Sequence, residues 1–264
     1  MISASEIRAT KGVRRIAMLT AYDYPTAFAL DQVGLDLILV GDSAAMVELG
    51  FPTTREATLE MMCHHTRAVR TGAVTTHVVG DLPVGSYETP EQAVASSQAL
   101  VAAGADSVKL EGPMLPQVEA IIAAGIPVMG HVGLLPQTAE IFRKEGKTPE
   151  EAARITREAR ALEAAGCYAI VIEAVPADLA TAITAAVGVP TIGIAAGVQT
   201  DGQVLVSTDL IGQLPFAPPF VKPKANVFQI VQDAARSYVD DVRSAREPVA
   251  ANVADDFDGP IYGV

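Results

Sequence analysis

The chain has 264 residues, half of them hydrophobic, which suits one large α/β domain and excludes a disordered protein. A net charge of −12 disfavours nucleic acid as a partner. Two cysteines far apart in sequence, Cys63 and Cys167, argue against a disulfide framework and favour a reducing compartment. Residues 1–15 do not resemble a signal peptide, and glycine or proline breaks the longest uncharged run. We therefore expect a cytoplasmic protein without a membrane span.

A module of helix, glycine and short apolar strand recurs along the chain. Residues 162–173 repeat residues 100–111 almost position for position, including the glycine before the strand and the glutamate after it. The glycine is typical of a helix C-cap, and the β-branched residues that follow are typical of a buried strand. Such repeats predict parallel strands joined by helical crossovers.

Eight strands are predicted from this pattern. They cover Ile16–Thr20, Leu37–Gly41, Thr75–Gly80, Ser107–Leu110, Pro127–Gly130, Ala169–Ile172, Pro190–Ile194 and Ala217–Val221. Eight parallel strands in a chain of this length predict an α/β fold, a closed (β/α)8 TIM barrel. We expect one barrel domain over residues 1–246 that ends in a helix at about Asn226–Arg243, followed by a mobile acidic tail over residues 247–264.

The strand within residues 105–112 carries charge where burial is expected. Lys109 and Glu111 are two residues apart, so they project from the same face of the strand. Charged groups are rarely buried without partners. The two side chains either form a structural ion pair or line a site, and the other strand ends decide between these interpretations.

Six successive predicted strands are followed by polar or ionisable side chains. In chain order these are Tyr22 and Asp23, Asp42 and Ser43, Asp81, Lys109 and Glu111, His131, and Glu173. The carboxyl ends of the strands of a (β/α)8 barrel converge on one mouth, where this fold carries its active site. One such side chain is often only a cap or an ion pair, whereas six in succession predict a catalytic mouth.

Three of these side chains, Asp42, Asp81 and Glu111, are carboxylates that would repel one another without a cation. Hard oxygen ligands without cysteine favour Mg2+ over Zn2+, with Glu111 bound either directly or through a water. Lys109 is suited to neutralise an anionic substrate or a developing oxyanion. A 2-oxo acid fits such a site, because chelation of the metal by its carboxylate and keto oxygen acidifies the adjacent C–H.

Glu173 and His131 are the candidates for proton transfer. Glu173 ends an otherwise apolar strand, which places a carboxylate at the edge of a buried surface and suits a proton carrier. His131 either hydrogen-bonds the substrate or shuttles a proton.

A series of short motifs occurs in an order that resembles the ketopantoate hydroxymethyltransferase family. The motifs are Thr20-Ala-Tyr-Asp-Tyr24, Leu39-Val-Gly-Asp-Ser43, Asp81-Leu-Pro83, Val108-Lys-Leu-Glu-Gly112, Gly130-His-Val-Gly-Leu134 with Pro136-Gln137, Ile172-Glu-Ala-Val-Pro176 and Thr200-Asp-Gly-Gln203. The resemblance extends from about Ile16 to Lys222. Each motif is short, and it is their combination that is specific.

The resemblance implies a barrel of the phosphoenolpyruvate/pyruvate superfamily that assembles as a homodecamer of two pentamers. It implies Mg2+ at Asp42, Asp81 and Glu111, substrate contacts from Asp42, Ser43, Asp81 and Lys109, and Glu173 as proton acceptor. The implied reaction transfers a hydroxymethyl group from 5,10-methylenetetrahydrofolate to a 2-oxo acid. With 3-methyl-2-oxobutanoate the product is 2-dehydropantoate, on the way to pantothenate.

The chain departs from the family pattern in three places. Ala44 and Ala45 stand where the family has Leu-Gly, and Ala195 stands where it has glycine. Residues 143–147 replace a glycine-rich loop after Phe142, and loops at a barrel mouth govern substrate access and specificity.

Three alternatives therefore stay open beside the transferase. One is a paralogue that hydroxymethylates a different 2-oxo acid, and another is a folate-independent lyase of the same superfamily that cleaves one. The third is a catalytically silent barrel that serves as an oligomer subunit or partner, and the retention of every strand-end group argues against it.

Overall fold

Eight parallel strands close into a barrel in which each strand pairs with the next and the last pairs with the first. The computed structural model describes residues 2–244. The strands are β1 Ile16–Thr20, β2 Leu37–Val40, β3 His77–Asp81, β4 Ser107–Lys109, β5 Val128–Gly133, β6 Ala169–Glu173, β7 Thr191–Ile194 and β8 Gly202–Leu205. The predicted (β/α)8 barrel is thus confirmed, and the first seven predicted strands overlap the observed ones.

Helices connect the strands, and several of them supply the outer layer of the core. They are α1 Ala4–Arg8, α2 Tyr24–Asp31, α3 Ala44–Val47, a 3-10 turn at Thr54–Glu56, α4 Leu59–Gly72, α5 Pro90–Ala102, α6 Leu115–Ala123, α7 Pro149–Ala164, α8 Ala177–Ala186, α9 Ser207–Ile211 and α10 Val227–Arg243. Leu100, Ile121, Ile155 and Ile183 of these helices pack with outward-facing strand residues in the larger apolar core. This layer holds the strands in register, so that the strand ends form a rigid frame.

The prediction of the eighth strand at Ala217–Val221 is wrong, because the strand that closes the barrel is β8 at Gly202–Leu205. Gly202 pairs with Ile16 of β1, and a Cβ at this glycine would lie 2.6 Å from the Ile16 carbonyl oxygen. The close approach requires glycine, and this residue made the segment look unlike a strand. Residues 217–221 contain two prolines, which lack the N–H group that a central strand must donate.

Alternate residues of β3 and β4 place polar groups at both ends of the barrel interior. At the amino-terminal end, His77 Nε2 lies 2.9 Å from Ser107 Oγ, which lies 2.9 Å from the Tyr168 hydroxyl. At the carboxyl-terminal end of the same strands, Asp81 pairs in register with Lys109. Between the two ends lies an apolar layer that includes Leu39, Val79, Met129 and Val171. The interior therefore carries two separate polar clusters.

The chain divides into two compact units, the barrel through Ser207 and a second unit from Thr208 onward. The predicted barrel domain of residues 1–246 spans both units. The predicted final helix is confirmed as α10, and the side chain of Asn226 caps it by accepting a hydrogen bond from the Gln229 amide. The predicted tail over residues 247–264 lies outside the described residues. In the part of the chain that is described, no helix is long and apolar enough to cross a membrane.

Two alanines adopt left-handed backbone at the barrel mouth. Ala174, directly after β6, has φ +48°, and Ala195, directly after β7, has φ +52°. An alanine in this region costs about 1–2 kcal/mol, because its Cβ crowds the following carbonyl oxygen. Ala195 is the position at which the family pattern has glycine, so the departure in sequence corresponds to a strained residue.

We expect Ala195→Gly to raise the free energy of unfolding by about 0.5–1 kcal/mol, because glycine adopts this backbone without strain. Ala196→Gly is the matched control, because the Ala196 methyl is buried in the core and its backbone is not left-handed. We expect the control to lower the free energy of unfolding by a similar amount. Urea denaturation of both variants measures these changes, and a shift of both in the same direction would contradict the assignment of strain to Ala195.

Candidate active site

Charged and polar side chains from four neighbouring strands meet inside the carboxyl-terminal end of the barrel. Asp42 follows β2, Asp81 ends β3, Lys109 ends β4 with Glu111 just beyond it, and His131 lies in β5. Each is at most 5% exposed. Because parallel strands in register present alternate residues to the same side, the sequence spacing alone brings these groups to one place.

A buried ion pair stands at the centre of this group. Lys109 Nζ lies 2.8 Å from Asp81 Oδ1. Burial acts to lower the pKa of the Lys109 ammonium, but the carboxylates of Asp81, Glu111 and Asp42 more than offset it and raise the pKa above its usual value. Lys109 is therefore a fixed positive charge among carboxylates.

The carboxylates outnumber the one ammonium that faces them. Burial, followed by the nearby charge of Asp81, raises the pKa of Asp42 to about 7. Burial raises the pKa of Glu111 to about 9, although Lys109 opposes this shift. Both shifts arise first from burial, and a cation bound beside these groups would favour their ionised form.

The donor set fits a hard divalent cation held by few protein ligands. Asp42 and Asp81 are adjacent, and the Asp42 backbone N–H lies 3.3 Å from Asp81 Oδ2. Within residues 2–244, no three His, Cys, Asp or Glu side chains are arranged to hold a metal ion by themselves. Mg2+ commonly uses one or two carboxylates and completes its octahedron with water and substrate oxygens, so two adjacent aspartates suffice.

His131 lies between two carboxylates. Its Nδ1 is 3.7 Å from Glu111 Oε1, and its Nε2 is 3.2 Å from Glu173 Oε2. Burial, followed by the charge of Lys109, lowers the pKa of His131 and favours the neutral imidazole. Neither ring nitrogen makes an aligned hydrogen bond to the described protein, so the ring retains capacity for a further partner.

Glu173 stands at the edge of the buried cluster, where its side chain is 22% exposed. The backbone around it is tightly constrained. A Cβ at Gly133, which has φ +99°, would lie 2.2 Å from the Glu173 carbonyl oxygen, and Ala174 on the other side is left-handed. Glu173 is thus held at the rim by backbone geometry, with one side facing His131 and the other facing solvent.

Ser43 is half-buried beside Asp42, and a tyrosine orients its hydroxyl. The hydroxyl oxygens of Ser43 and Tyr22 lie 2.8 Å apart. Burial raises the pKa of Tyr22 well above its usual range, which keeps the phenol protonated. The backbone oxygen of Tyr22 in turn lies 2.7 Å from Nδ1 of His65 on α4.

Nothing in the periodicity of the sequence marks Gln137 as part of the site, yet it forms hydrogen bonds with two of the site carboxylates. It is 1% exposed, and its side-chain amide donates to Asp42 Oδ2 at 2.8 Å. Its backbone N–H donates to Glu111 Oε2 at 3.1 Å. Gln137 lies in an irregular loop after β5, where neither helical nor strand periodicity applies. Only its place in the Pro136-Gln137 motif could have signalled it.

Over most of its length, this chain is similar to proteins of one enzyme family. The sequence profile of a family described as ketopantoate hydroxymethyltransferase matches residues 1–250. A 3-methyl-2-oxobutanoate hydroxymethyltransferase from Oleidesulfovibrio alaskensis is 50% identical over 94% of this chain and 89% of its own length. The protein of the same name from Thermus thermophilus is 46% identical over 93% of this chain and 97% of its own length.

Solved structures with the same fold are more distant in sequence. Phosphonopyruvate hydrolase matches with a TM-score of 0.65 and 15% identity, over 96% of this chain and 92% of its own. A 2,3-dimethylmalate lyase, described as a member of the PEP mutase/isocitrate lyase superfamily, matches with a TM-score of 0.61 and 14% identity, over 97% and 93%. At this identity the likeness establishes the barrel architecture alone.

The charge balance of the site predicts the effect of removing its ammonium. We expect Lys109→Met to lower the free energy of unfolding by about 3–5 kcal/mol, because buried carboxylates lose their positive partner. The folded pKa values of Asp42 and Glu111 lie above those of the unfolded chain, so the folded variant takes up protons as the pH falls. Without the ammonium both pKa values rise further, so the loss shrinks as the pH falls from about 10 to about 6, through the wild-type values of about 9 and about 7.

Lys11→Met is the matched control for this variant. Lys11 forms an ion pair with Asp201 at the same distance, 2.8 Å, but its side chain is 22% exposed. We expect the control to cost about 1 kcal/mol or less, with little dependence on pH. Urea denaturation at both pH values measures the difference, and equal losses in the two variants would show that burial does not set the energy of the Lys109 pair.

Proposed function

Since the chain belongs to the ketopantoate hydroxymethyltransferase family, we propose that it transfers a hydroxymethyl group from 5,10-methylenetetrahydrofolate to 3-methyl-2-oxobutanoate. The chain is an enzyme of the transferase class. The product would be 2-dehydropantoate, a precursor of pantothenate. The observation that carries the proposal is the buried mouth, where the Lys109 ammonium lies 2.8 Å from Asp81 among acidic side chains. This is an environment for an anionic 2-oxo acid and its enolate.

The proposal includes Mg2+ at the two adjacent aspartates, Asp42 and Asp81, with Glu111 contributing directly or through a water. The burial of three neighbouring acidic side chains around the Lys109 ammonium supports a cation at this place. Bound there with the 2-oxo acid, Mg2+ would supply Lewis-acid polarisation of the keto oxygen. The protein groups around it then have separate tasks.

Lys109 and Ser43 bind and orient the substrate in this proposal. The Lys109 ammonium favours negative charge on the substrate oxygen as the enolate forms, because its position is fixed and it lies in a water-poor interior. The Ser43 hydroxyl, oriented by Tyr22, donates to a substrate oxygen. Ser43 follows β2 and Lys109 ends β4, so both groups are fixed by the same barrel, which limits substrate motion.

Glu173 is the proposed base that takes the proton from C3 of the 2-oxo acid. It reaches the rim of the pocket, and its Oε2 lies 3.2 Å from His131 Nε2. His131 therefore lies beside the carboxylate that takes the proton, where its free ring nitrogen can contact the substrate or the base.

Hydrogen–deuterium exchange at C3 of 3-methyl-2-oxobutanoate, followed by NMR, tests the first half of the reaction. We expect exchange that requires Mg2+ and does not require folate, because the enolate forms before the one-carbon unit arrives. Addition of 5,10-methylenetetrahydrofolate should then give 2-dehydropantoate. Exchange of another 2-oxo acid in place of this one would assign a different acceptor, and failure of all of them to exchange would overturn the proposed chemistry.

A substitution at Asp81 tests the assignment of the site. We expect Asp81→Ala to abolish exchange and Mg2+ binding, measured by isothermal titration calorimetry. The barrel should stay folded, because Lys109 retains Asp42 and Glu111 as partners. Asp106→Ala is the control. Asp106 also forms an ion pair, with Arg70, but it precedes the first residue of β4 and so lies at the amino-terminal end of the barrel. Full activity in Asp81→Ala would show that the site lies elsewhere.

A further inference from the structure

Gln137 ties the ends of several strands together from a loop. Its side-chain amide nitrogen donates to Asp42 Oδ2 after β2 and to the backbone oxygen of Leu82 after β3, at 2.8 and 2.9 Å. Its backbone N–H donates to Glu111 Oε2 after β4 at 3.1 Å. Gln137 itself follows β5. One residue therefore connects the mouth ends of four consecutive strands.

The orientation of the Gln137 amide is fixed by its surroundings. Its nitrogen faces two acceptors, so both amide hydrogens are used. Its oxygen accepts a hydrogen bond from the Tyr87 hydroxyl at 2.5 Å. A flipped amide would point its oxygen at the Asp42 carboxylate and its N–H group at the phenol. The hydrogen bonds to Asp42 and Leu82 would then be lost.

The loop that carries Gln137 is also fixed from its other side. Arg55 Nε donates to the Gln137 backbone oxygen at 3.1 Å, and Arg55 Nη2 donates to the Ala139 oxygen at 2.6 Å. With the side chain 1% exposed, the amide reaches Asp42 without intervening solvent. Such a shell of fixed donors orients carboxylates and leaves their remaining oxygens directed into the site.

We propose that Gln137 is a positioning residue that holds the Asp42 and Glu111 carboxylates in the geometry needed to bind a divalent cation and the 2-oxo acid. One oxygen of each carboxylate is taken up by Gln137, at Oδ2 of Asp42 and Oε2 of Glu111, so the other oxygen of each is presented to the site. The identity of the bound cation and 2-oxo acid rests on the proposed function. The orientation of the carboxylates by Gln137 does not.

A second buried glutamine supplies the matched control. Gln117 on α6 is 6% exposed and donates to the Glu88 backbone oxygen at 3.2 Å. Gln117→Met thus removes a buried amide and a hydrogen bond without touching a site carboxylate. Gln137→Met makes the same chemical change at the amide that donates to Asp42, and it leaves the backbone N–H that donates to Glu111.

We expect Gln137→Met to weaken binding of Mg2+ alone, measured by calorimetry, by about 10- to 100-fold, with kcat falling by a similar factor. Gln117→Met should keep the wild-type Mg2+ affinity and kcat, although the loss of its buried hydrogen bond lowers the temperature at which it unfolds. In crystal structures of the two variants, the Asp42 carboxylate should be rotated only in Gln137→Met, whereas Glu111, which accepts from the backbone N–H of residue 137, should keep its position in both. Wild-type carboxylate positions together with wild-type Mg2+ affinity in Gln137→Met would overturn the proposal.

The two proposals fail separately. If the wild-type enzyme exchanges no 2-oxo acid, the proposed function falls, while the crystal structures still decide whether Gln137 orients the carboxylates. If Gln137→Met does not fold, Tyr87→Phe replaces it, because this variant keeps the amide and removes only the hydroxyl that fixes its direction. We expect Tyr87→Phe to weaken Mg2+ binding several-fold, and an unchanged affinity would count against positioning by Gln137.

Discussion

A single buried ammonium group holds the carboxylates of the barrel mouth together. Without Lys109, the side chains of Asp42, Asp81 and Glu111 would place like charges in an interior from which water is excluded. With it, three acidic side chains still face one ammonium among the described residues, and burial raises the pKa values of Asp42 and Glu111. The buried ion pair thus offsets part of the repulsion among these acidic side chains and leaves room for the cation proposed above.

The strand geometry decides where this charge can lie. Along β3 the inward positions are His77, Val79 and Asp81, and along β4 they are Ser107 and Lys109. The apolar layer at the level of Val79 separates the polar network at the amino-terminal end from the charged cluster at the mouth. The structural hydrogen-bond network and the candidate site thus lie at opposite ends of the same strands, as is usual for this fold.

Much of this arrangement could be predicted, because parallel strands convert sequence spacing directly into spatial position. The period of two placed Lys109 and Glu111 on one face, and the repeated strand ends placed Asp42 and Asp81 beside them. The eighth strand was missed because Gly202 is required by close approach to β1 and carries no hydrophobic signal. A short strand that starts with glycine is recognisable only once its neighbour is known.

The role of Gln137 could not be predicted from periodicity, for a different reason. Its partners are Asp42, Leu82, Tyr87 and Glu111, which come from three separate stretches of the chain. Its role therefore depends on the shape of an irregular loop, and that shape depends on hydrogen bonds from Arg55. Local sequence patterns report periodic structure well, whereas contacts of this kind exist only in the assembled fold.

The pairing of β1 with β8 also determines when the barrel can close during synthesis of the chain. Because Ile16 pairs with Gly202, the barrel cannot close until most of the chain has left the ribosome, about 10–40 s after the first strand at ordinary translation rates. Until then the growing sheet has an open edge at β1, with unpaired backbone groups that can join to other chains. The loop-closure entropy of this long-range contact slows folding as well. Chaperone demand and aggregation during expression should therefore be governed by the last closing strand, far from the residues that carry the chemistry.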